Sequence, residues 1–203
     1  MRERILETAL KLCRTFGIKS ITMQDIAREC GISKKTVYEH FQDKTELVNE
    51  VAAFMTGAYC RQLAECSAQG ANAVEELALS IRHTEHLARV TNPVLLFELE
   101  KYHPAAWKTV LSFREQQLTG FIRANLERGI REGLYRSTLH TGIIIHMRLL
   151  QLNALFNPLF YPTAEFDLHE VIQQMTAHYI RGIATPEGQR IVEQFLPEKI
   201  TAS

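Results

Sequence analysis

The chain has 203 residues, 46% of them hydrophobic, so it is long and apolar enough to bury one sizeable core or a small domain joined to a larger one. Its 23 basic and 23 acidic residues give a formal net charge of zero, and the first 50 residues carry 9 of the basic and 8 of the acidic ones. With this balance the overall charge of the protein does not attract polyanions, so a nucleic-acid site would need a local cluster of basic residues.

The sequence also bears on redox chemistry and membranes. It contains four cysteines that form neither a C-x-x-C pair nor a zinc-like grouping with histidine, namely Cys13, Cys30, Cys60 and Cys66. We expect reduced thiols, with a redox-sensing thiol as the alternative. Residues 1–13 lack the apolar stretch of a secretory signal, and the most apolar region, 143–156, is too short to span a bilayer. We therefore expect a soluble cytoplasmic protein without membrane association.

The first 55 residues predict four helices. Apolar side chains recur at helical spacing over 2–16, and Gly17 follows as a stop. Thr22, three residues before Asp25, can cap a short second helix. A third helix and a fourth over 44–55 begin at further capping residues, which are Ser33 and the pair Asp43 and Glu46.

The rest of the sequence also predicts helices and shows hardly any strand alternation. Asn72 with Glu75 can cap the first of these helices, and the step from Asn92 to Pro93 ends it. The predicted segments are 72–90, a short helix to Tyr102, 104–132, 139–156, 168–184 and a last short helix after Pro186. We expect an all-α protein.

The spacing around Gly31 predicts a helix-turn-helix. Two closely crossing helices need a small residue at the crossing, which Ala27 supplies, and the sharp turn needs a residue that tolerates positive φ, which is Gly31. Val37 then gives the second motif helix an apolar anchor. One such match alone would mean little, but the three together at these spacings predict the motif.

With Val37 facing inward, Lys35 and Glu39 fall on the opposite face of that helix, and Thr36 and Tyr38 lie on its flanks. Lysine can donate to guanine edges or phosphates, and hydroxyl groups can contact bases or phosphates. The alternative is an ordinary solvated helix face. Glu39 supports that alternative, because a carboxylate facing DNA is repelled unless it accepts from a cytosine amine or pairs with Lys35.

The segment TFGIKSITMQDIARECGISKKTVYEHFQDKTELV resembles the DNA-binding domain of the TetR family of bacterial transcriptional regulators. The resemblance covers residues 2 to about 55 and rests on the patterns GI-x-x-x-T, IA-x-x-x-GIS, TVYEHF and DK-x-EL. It implies a three-helix helix-turn-helix domain over 1–46, a connecting helix over 44–55, and a larger helical domain over 56–203. That larger domain would bind an effector and form a homodimer.

The same resemblance implies which side chains lie close to DNA. Those near DNA are Thr22, Gln24, Lys34, Lys35 and Thr36, and those that contact phosphates or brace the recognition helix are Tyr38, His40 and Lys44. Lys44 also stands beside the free N–H groups at the start of the fourth helix, where a phosphate would bind. Glu39 departs from the family pattern, in which this position is often aromatic or small, and leaves the operator sequence open.

The helices from residue 72 onward carry polar side chains among apolar ones, as an effector pocket does. The candidate lining residues are Arg82, His86, Phe97, Tyr102, Phe113, Gln117, Phe121, His146, Met147 and Gln151, with Glu98 and Asn153 as further polar residues. The alternative for each is a surface or hydrogen-bonded core position. His83 and His86 could share a metal, but no acidic or cysteine ligand lies at helical spacing to complete the site. We expect neither a metal nor a cofactor.

These features predict a homodimeric DNA-binding regulator, a repressor that an unidentified small molecule releases from double-stranded operator DNA. The ligand would move the fourth helix and change the spacing of the two recognition helices. The alternative is a helical small-molecule-binding or interaction protein that has lost operator binding. An enzyme is disfavoured, because the sequence contains no nucleophile elbow, phosphate loop, HExxH motif or paired Asp/Glu arrangement.

Overall fold

The computed structural model describes residues 1–92, 94–155, 159–162 and 164–195. Within these ranges the regular secondary structure is helical, apart from an isolated antiparallel bridge between Tyr135 and Ala184, which confirms the all-α prediction. No helix of the described ranges has both the length and the hydropathy that a membrane span requires. The helices are α1 (Arg2–Phe16), α2 (Met23–Cys30), α3 (Lys34–His40), α4 (Lys44–Gln69), α5 (Ala73–Val90), α6 (Val94–Tyr102), α7 (Pro104–Phe113), α8 (Thr119–Arg131), α9 (Thr141–Leu155), α10 (Leu168–Ile183) and α11 (Pro186–Phe195).

The helices pack into two compact units, and each is described by itself. The first unit combines residues 1–59 with 90–113, and the second combines 60–89 with the described residues from 114 onward. The first unit is therefore larger than the predicted DNA-binding segment, because α6 and α7 pack with the N-terminal helices. The limits of 1–46 and 56–203 as functional domains stay a prediction.

In the first unit, α1, α2 and α3 pack around a common apolar core. Ile5 of α1, Ile26 of α2 and Val37 of α3 are fully buried, and Phe41, at the C-terminal cap of α3, is 1% exposed. Ala27, the small residue predicted at the helix crossing, is fully buried in the same core. The predicted packing of the helix-turn-helix is confirmed.

Capping side chains define the ends of α2 and α3. At the start of α2, Thr22 Oγ1 accepts from the N–H of Asp25 at 3.2 Å, and Asp25 Oδ2 accepts from the N–H of Thr22 at 2.9 Å. Gly31 ends α2 in the left-handed conformation, with φ +64. Ser33 Oγ then accepts from the N–H of Thr36 at 3.0 Å and starts α3. The predicted caps at Thr22 and Ser33 and the predicted helix end at Gly31 are confirmed, because each depends on residues close in sequence.

α4 is longer than the sequence indicates. The predicted end lies near residue 55, but the helix continues through Gly57 to Gln69. A glycine within a helix costs about 1 kcal/mol relative to alanine. Burial of Leu63 and Cys66 in the added turns offsets that cost.

The helix predicted over 104–132 is interrupted by a π-helical turn at Arg114–Leu118, between α7 and α8. Thr119 Oγ1 donates to the carbonyl of Arg114 at 2.9 Å, so a side chain takes up a carbonyl in the widened turn. The apolar periodicity of the sequence does not reveal such a turn, because it shifts the pattern by one residue only.

The remaining predicted helices agree with the structure to within two residues. α5 occupies the predicted 72–90 segment and is capped by Asn72, whose Oδ1 accepts from the N–H of Glu75 at 3.0 Å. α9 and α10 correspond to the helices predicted over 139–156 and 168–184. The predicted break at Pro93 and the predicted helix end at Phe156 lie outside the described residues.

In the second unit, buried polar side chains form a network between α5 and α8. Glu76, Asn125 and Tyr135 are 3%, 2% and 1% exposed. Asn125 Nδ2 donates to Glu76 Oε2 at 3.2 Å, and Nη1 of Arg128 lies 3.2 Å from the same oxygen. The Tyr135 hydroxyl donates to the carbonyl of Ala73 at 3.0 Å, and burial raises the pKa of this hydroxyl well above its ordinary value. Tyr135 therefore remains a protonated donor within the network.

Gly129 lies against the ring of Tyr135, where an added Cβ would come within 2.0 Å of the ring carbon Cδ2. We expect Gly129→Ala to lower the free energy of unfolding by roughly 1–3 kcal/mol, because the ring and its hydrogen bonds must shift. Gly120→Ala in the same helix is the matched control, since an added Cβ there meets nothing within 4 Å. We expect that control to gain up to about 1 kcal/mol. Urea unfolding measures both, and equal stability of the two variants would contradict the prediction.

Candidate nucleic-acid interface

The nine residues predicted to lie near DNA differ in exposure. Six are exposed, namely Thr22, Gln24, Lys34, Lys35, Tyr38 and Glu39, and three are half-buried, namely Thr36, His40 and Lys44. Burial of Val37 against α1 and α2 sets this pattern, because it turns the opposite side of α3 to solvent. The start of α2 and the outer face of α3 are therefore both accessible.

Thr22 combines exposure with a structural role. Its hydroxyl donates to Asp25 Oδ2 at 2.7 Å and belongs to the capping box of α2. The hydrogen bonds from Thr22 lower the pKa of the Asp25 carboxyl, and the positive charge of Arg28 lowers it further. A carboxyl with a lowered pKa contributes its stabilisation above its ordinary range and loses it as the pH falls, so the cap is intact at neutral pH.

The outer face of α3 carries two lysines and one carboxylate. The ammonium of Lys34 lies 5.7 Å from the centre of the Tyr38 ring, at the edge of cation–π range. Neither Lys35 nor Glu39 takes part in an ion pair in the described part of the chain. The pairing with Lys35 that would neutralise Glu39 is thus not made among the described residues, and Glu39 is exposed to solvent.

Lys44 is engaged with the loop between α1 and α2. Its Nζ donates to the carbonyl of Ile18 at 2.7 Å and to that of Ile21 at 2.5 Å. These bonds brace the loop between α1 and α2, whereas the resemblance implied a contact with phosphate or a bracing contact to the recognition helix. A direct contact of Lys44 with phosphate stays a prediction.

Glu98 of α6 is a residue whose place the sequence did not reveal. The sequence offers it as a further polar residue of an effector pocket. In the structure its carboxylate is 6% exposed and accepts from the N–H of Ile18 at 2.5 Å and of Lys19 at 3.1 Å. The one available signal was a glutamate next to buried Leu99 in a mostly apolar helix. That signal indicates that the carboxylate accepts hydrogen bonds, but it does not identify the donor groups.

The ten residues predicted to line an effector pocket are distributed over both units. Phe97, Tyr102 and Phe113 belong to the first unit, where the ring of Phe113 packs edge to face with that of Tyr59 at 5.4 Å. The other seven belong to the second unit, namely Arg82, His86, Gln117, Phe121, His146, Met147 and Gln151. Of the ten, only Phe113, Phe121 and Gln151 are half-buried, and the others are exposed.

A small cavity of about 10 Å³ lies in the second unit, between α5, α9 and α10. This is room for about one water molecule. None of the ten predicted residues lines it; its walls are Ile81, Thr84, Arg148, Leu152, Leu155, Ile172, Met175 and Thr176. Arg148 is 6% exposed, and its guanidinium carbon lies 4.6 Å from the centre of the Tyr179 ring. The cavity therefore combines apolar walls, two hydroxyls and a cation.

The described residues also bear on metal and thiol chemistry. Nowhere in the described ranges do three His, Cys, Asp or Glu side chains come together as a metal site would need, and this includes the surroundings of His83 and His86. The four cysteines are unpaired, three buried and Cys60 half-buried. Burial raises the pKa of the Cys13 thiol to about 12, so this thiol is not ionised at neutral pH.

Comparison with known proteins gives consistent matches. Residues 5–51 match the family model of bacterial regulatory proteins, tetR family. The chain is 26% identical over 189 residues to the uncharacterised HTH-type transcriptional regulator YvaF of Bacillus subtilis (strain 168), covering 92% of this chain and 97% of that one. It is 25% identical over 191 residues to the HTH-type transcriptional repressor KstR2 of Rhodococcus jostii (strain RHA1), covering 92% and 93%.

A solved TetR-family transcriptional regulator from Agrobacterium tumefaciens has the same fold, with a TM-score of 0.73 at 19% identity over 91% of this chain and 97% of that one. The family match falls on α1 to α4, where the helix-turn-helix geometry is found. The relatives that match over nearly their whole length are named as transcriptional regulators and not as enzymes. Residues 5–51 therefore match the DNA-binding domain of the TetR family, and over nearly its whole length the chain is similar to transcriptional regulators.

Proposed function

We propose that this regulator is a homodimeric repressor that binds double-stranded operator DNA and that a small-molecule effector releases from it. The observation that carries the proposal is the outer face of α3, which exposes Lys34, Lys35 and Tyr38 while Val37 anchors the helix from behind. Lysine and tyrosine side chains in this position suit phosphate and base-edge contacts in the major groove. The net charge of zero means that these local cations supply the attraction.

The phosphate contacts are tested by the double variant Lys35→Ala with Tyr38→Phe. We expect weaker binding and a salt dependence of affinity that is lower by about one phosphate contact, because one counterion fewer is released on binding. The DNA is a duplex that the unaltered protein selects from a random-sequence library, and fluorescence anisotropy is measured at several salt concentrations.

The matched control for this test is Lys108→Ala, which removes the same charge from an exposed position of α7 in the same unit. We expect its affinity and salt dependence to equal those of the unaltered protein. If the double variant behaved like the control, α3 would not be the recognition helix. If the unaltered protein selected no sequence at all, the alternative of an interaction protein without operator binding would hold.

Dimer formation is supported by an apolar stripe on α9. Ile143, Met147 and Leu150 lie one helical turn apart and are 56%, 49% and 68% exposed. Burying such a stripe would stabilise the protein by about 25 cal/mol for each Å² of apolar surface removed from water. A second copy of the same stripe would cover it around a two-fold axis, and two-fold symmetry would present two copies of α3 to successive major grooves.

Leu150→Glu tests this interface. We expect the unaltered protein to sediment at about twice the 23.2 kDa of the chain, and the variant at the mass of the single chain, because two carboxylates would face each other across the axis. Leu111→Glu is the control, since Leu111 is also an exposed leucine, on α7. A monomeric unaltered protein, or a variant that stayed dimeric, would rule out the proposed stripe.

For the effector, we propose that entry begins at the cavity lined by Arg148. The cavity must widen by side-chain movement, because its present volume of about 10 Å³ is far below that of a ligand pocket. Apolar walls with one guanidinium favour a ligand that has an apolar body and one anionic group. Binding there would weaken DNA binding, and DNA would weaken effector binding by the same factor.

Decanoate and 1-decanol serve as probes of this chemistry, since they share a chain length and differ in charge. We expect decanoate to raise the midpoint of thermal unfolding by several degrees and decanol by less, because only the carboxylate can pair with Arg148. Arg148→Gln is expected to abolish that difference, whereas Arg82→Gln, which changes an exposed arginine of α5, should keep it. If the Arg82 variant instead lost the difference between decanoate and decanol, the anion site would lie at Arg82, one of the ten residues predicted to line the pocket.

A further inference from the structure

The loop between α1 and α2 is held from two sides by side chains of opposite charge. From α6, Glu98 Oε2 accepts from the N–H groups of Ile18 and Lys19, at 2.5 and 3.1 Å. From α4, Lys44 Nζ donates to the carbonyls of Ile18 and Ile21, at 2.7 and 2.5 Å. We call Glu98, Lys44 and the loop of residues 17–21 the loop clamp.

In the loop clamp, each charged side chain contacts backbone groups of opposite partial charge. The carboxylate takes the N–H groups and the ammonium takes the carbonyls, so the four backbone groups that they contact are satisfied. Hydrogen bonds to ionised groups are stronger than neutral ones. A loop of this length otherwise has no regular secondary structure to hold it, so the two side chains restrict its conformations.

The approach of Glu98 requires a glycine in the loop. Gly17 has φ +80, a conformation that side chains of L-residues rarely adopt. A Cβ at this position would also lie 3.0 Å from Glu98 Oε2. Gly17 therefore serves both the backbone turn and the close approach of the carboxylate.

α6 is fixed along the end of α1 by further contacts. The N–H of Asn92, just before α6, donates to the carbonyl of Arg14 at 2.6 Å. Leu95 and Leu99 of α6 are each 2% exposed in the core that α1 and α2 share. The ammonium of Lys19 lies 3.6 Å from the centre of the Tyr102 ring. Glu98 thus approaches the loop from a helix that is packed into the same core as α1 and α2.

The loop leads directly into the candidate interface. Thr22 follows Ile21, caps α2 with its hydroxyl and is exposed, and Gln24 is exposed in the first turn of α2. Conformational changes in residues 17–21 would therefore also move the start of α2. A binding surface that is already ordered loses less conformational entropy when its partner binds.

We propose that Glu98 and Lys44 are positioning residues for DNA binding, which hold the loop of residues 17–21 so that the start of α2 is presented to DNA in one conformation. Glu98 acts without touching DNA. The inference rests on the proposed DNA-binding function and adds to it that α6 helps to set the affinity. A direct phosphate contact and a positioning role differ in salt dependence, because only the former releases a counterion on binding.

Glu98→Gln is the test, with Glu100→Gln as the control, because Glu100 is an exposed glutamate on the same helix. The probe is the duplex that the unaltered protein selects from a random-sequence library. We expect Glu98→Gln to bind about tenfold more weakly with an unchanged salt slope, because charge-assisted hydrogen bonds are lost but no phosphate contact is. The Glu100 variant should bind like the unaltered protein.

Two further readouts separate positioning from mere loss of stability. Affinity is measured at a temperature where urea unfolding shows each variant to be fully folded, and amide hydrogen exchange is measured at Ile18 and Lys19. We expect faster exchange at these two amides in Glu98→Gln, while amides of α3 keep their rates. If Glu98→Gln does not fold, Glu98→Asp takes its place, since it keeps the charge but is too short to reach both N–H groups.

Lys44→Met tests the other half of the clamp. We expect weaker binding with an unchanged salt slope; a slope lower by about one contact would show instead that Lys44 binds phosphate directly. A folded Glu98 variant that binds as tightly as the unaltered protein would overturn the inference, even though the proposed function would stand. An unaltered protein that selects no DNA would remove the proposed function itself and this inference with it.

Discussion

Because Val37 is fully buried and Phe41 is 1% exposed in the core that α1 and α2 share, α3 can turn only one face to solvent. That face carries Lys35, Tyr38 and Glu39, so packing behind the helix decides which of its side chains are exposed to solvent. The sharp turn at Gly31 and the small Ala27 allow the two helices to approach closely enough for this packing. The proposed DNA-binding surface therefore depends on the apolar core behind it.

The two units use buried carboxylates in different ways. In the second unit Glu76 accepts from side chains, those of Asn125 and Arg128, and the set joins α5 to α8. In the first unit Glu98 accepts from backbone N–H groups and fixes a loop. The donors to Glu98 are peptide N–H groups, so mutation of the residues that carry them does not change the donors themselves. Substitution of either residue leaves these donors in place, because every residue except proline keeps its backbone N–H.

Features that depend on neighbouring residues could be predicted from the sequence, and those that depend on distant contacts could not. The caps at Thr22 and Ser33 and the turn at Gly31 involve groups three or four residues apart, and the structure has them as predicted. The end of α4 and the π-helical turn depend on packing that periodicity does not record. The role of Glu98 was missed for the same reason, since its donors lie about 80 residues earlier in the chain.

The contact between Gly17 and Glu98 links two positions far apart in the chain. A side chain at position 17 would meet both an unfavourable φ and the carboxylate of Glu98. Shortening Glu98 would relieve only the contact with the carboxylate, because the φ of +80 disfavours a side chain at position 17 whatever residue faces it. Residue 17 is thus constrained twice, once by its own backbone conformation and once by a carboxylate from α6.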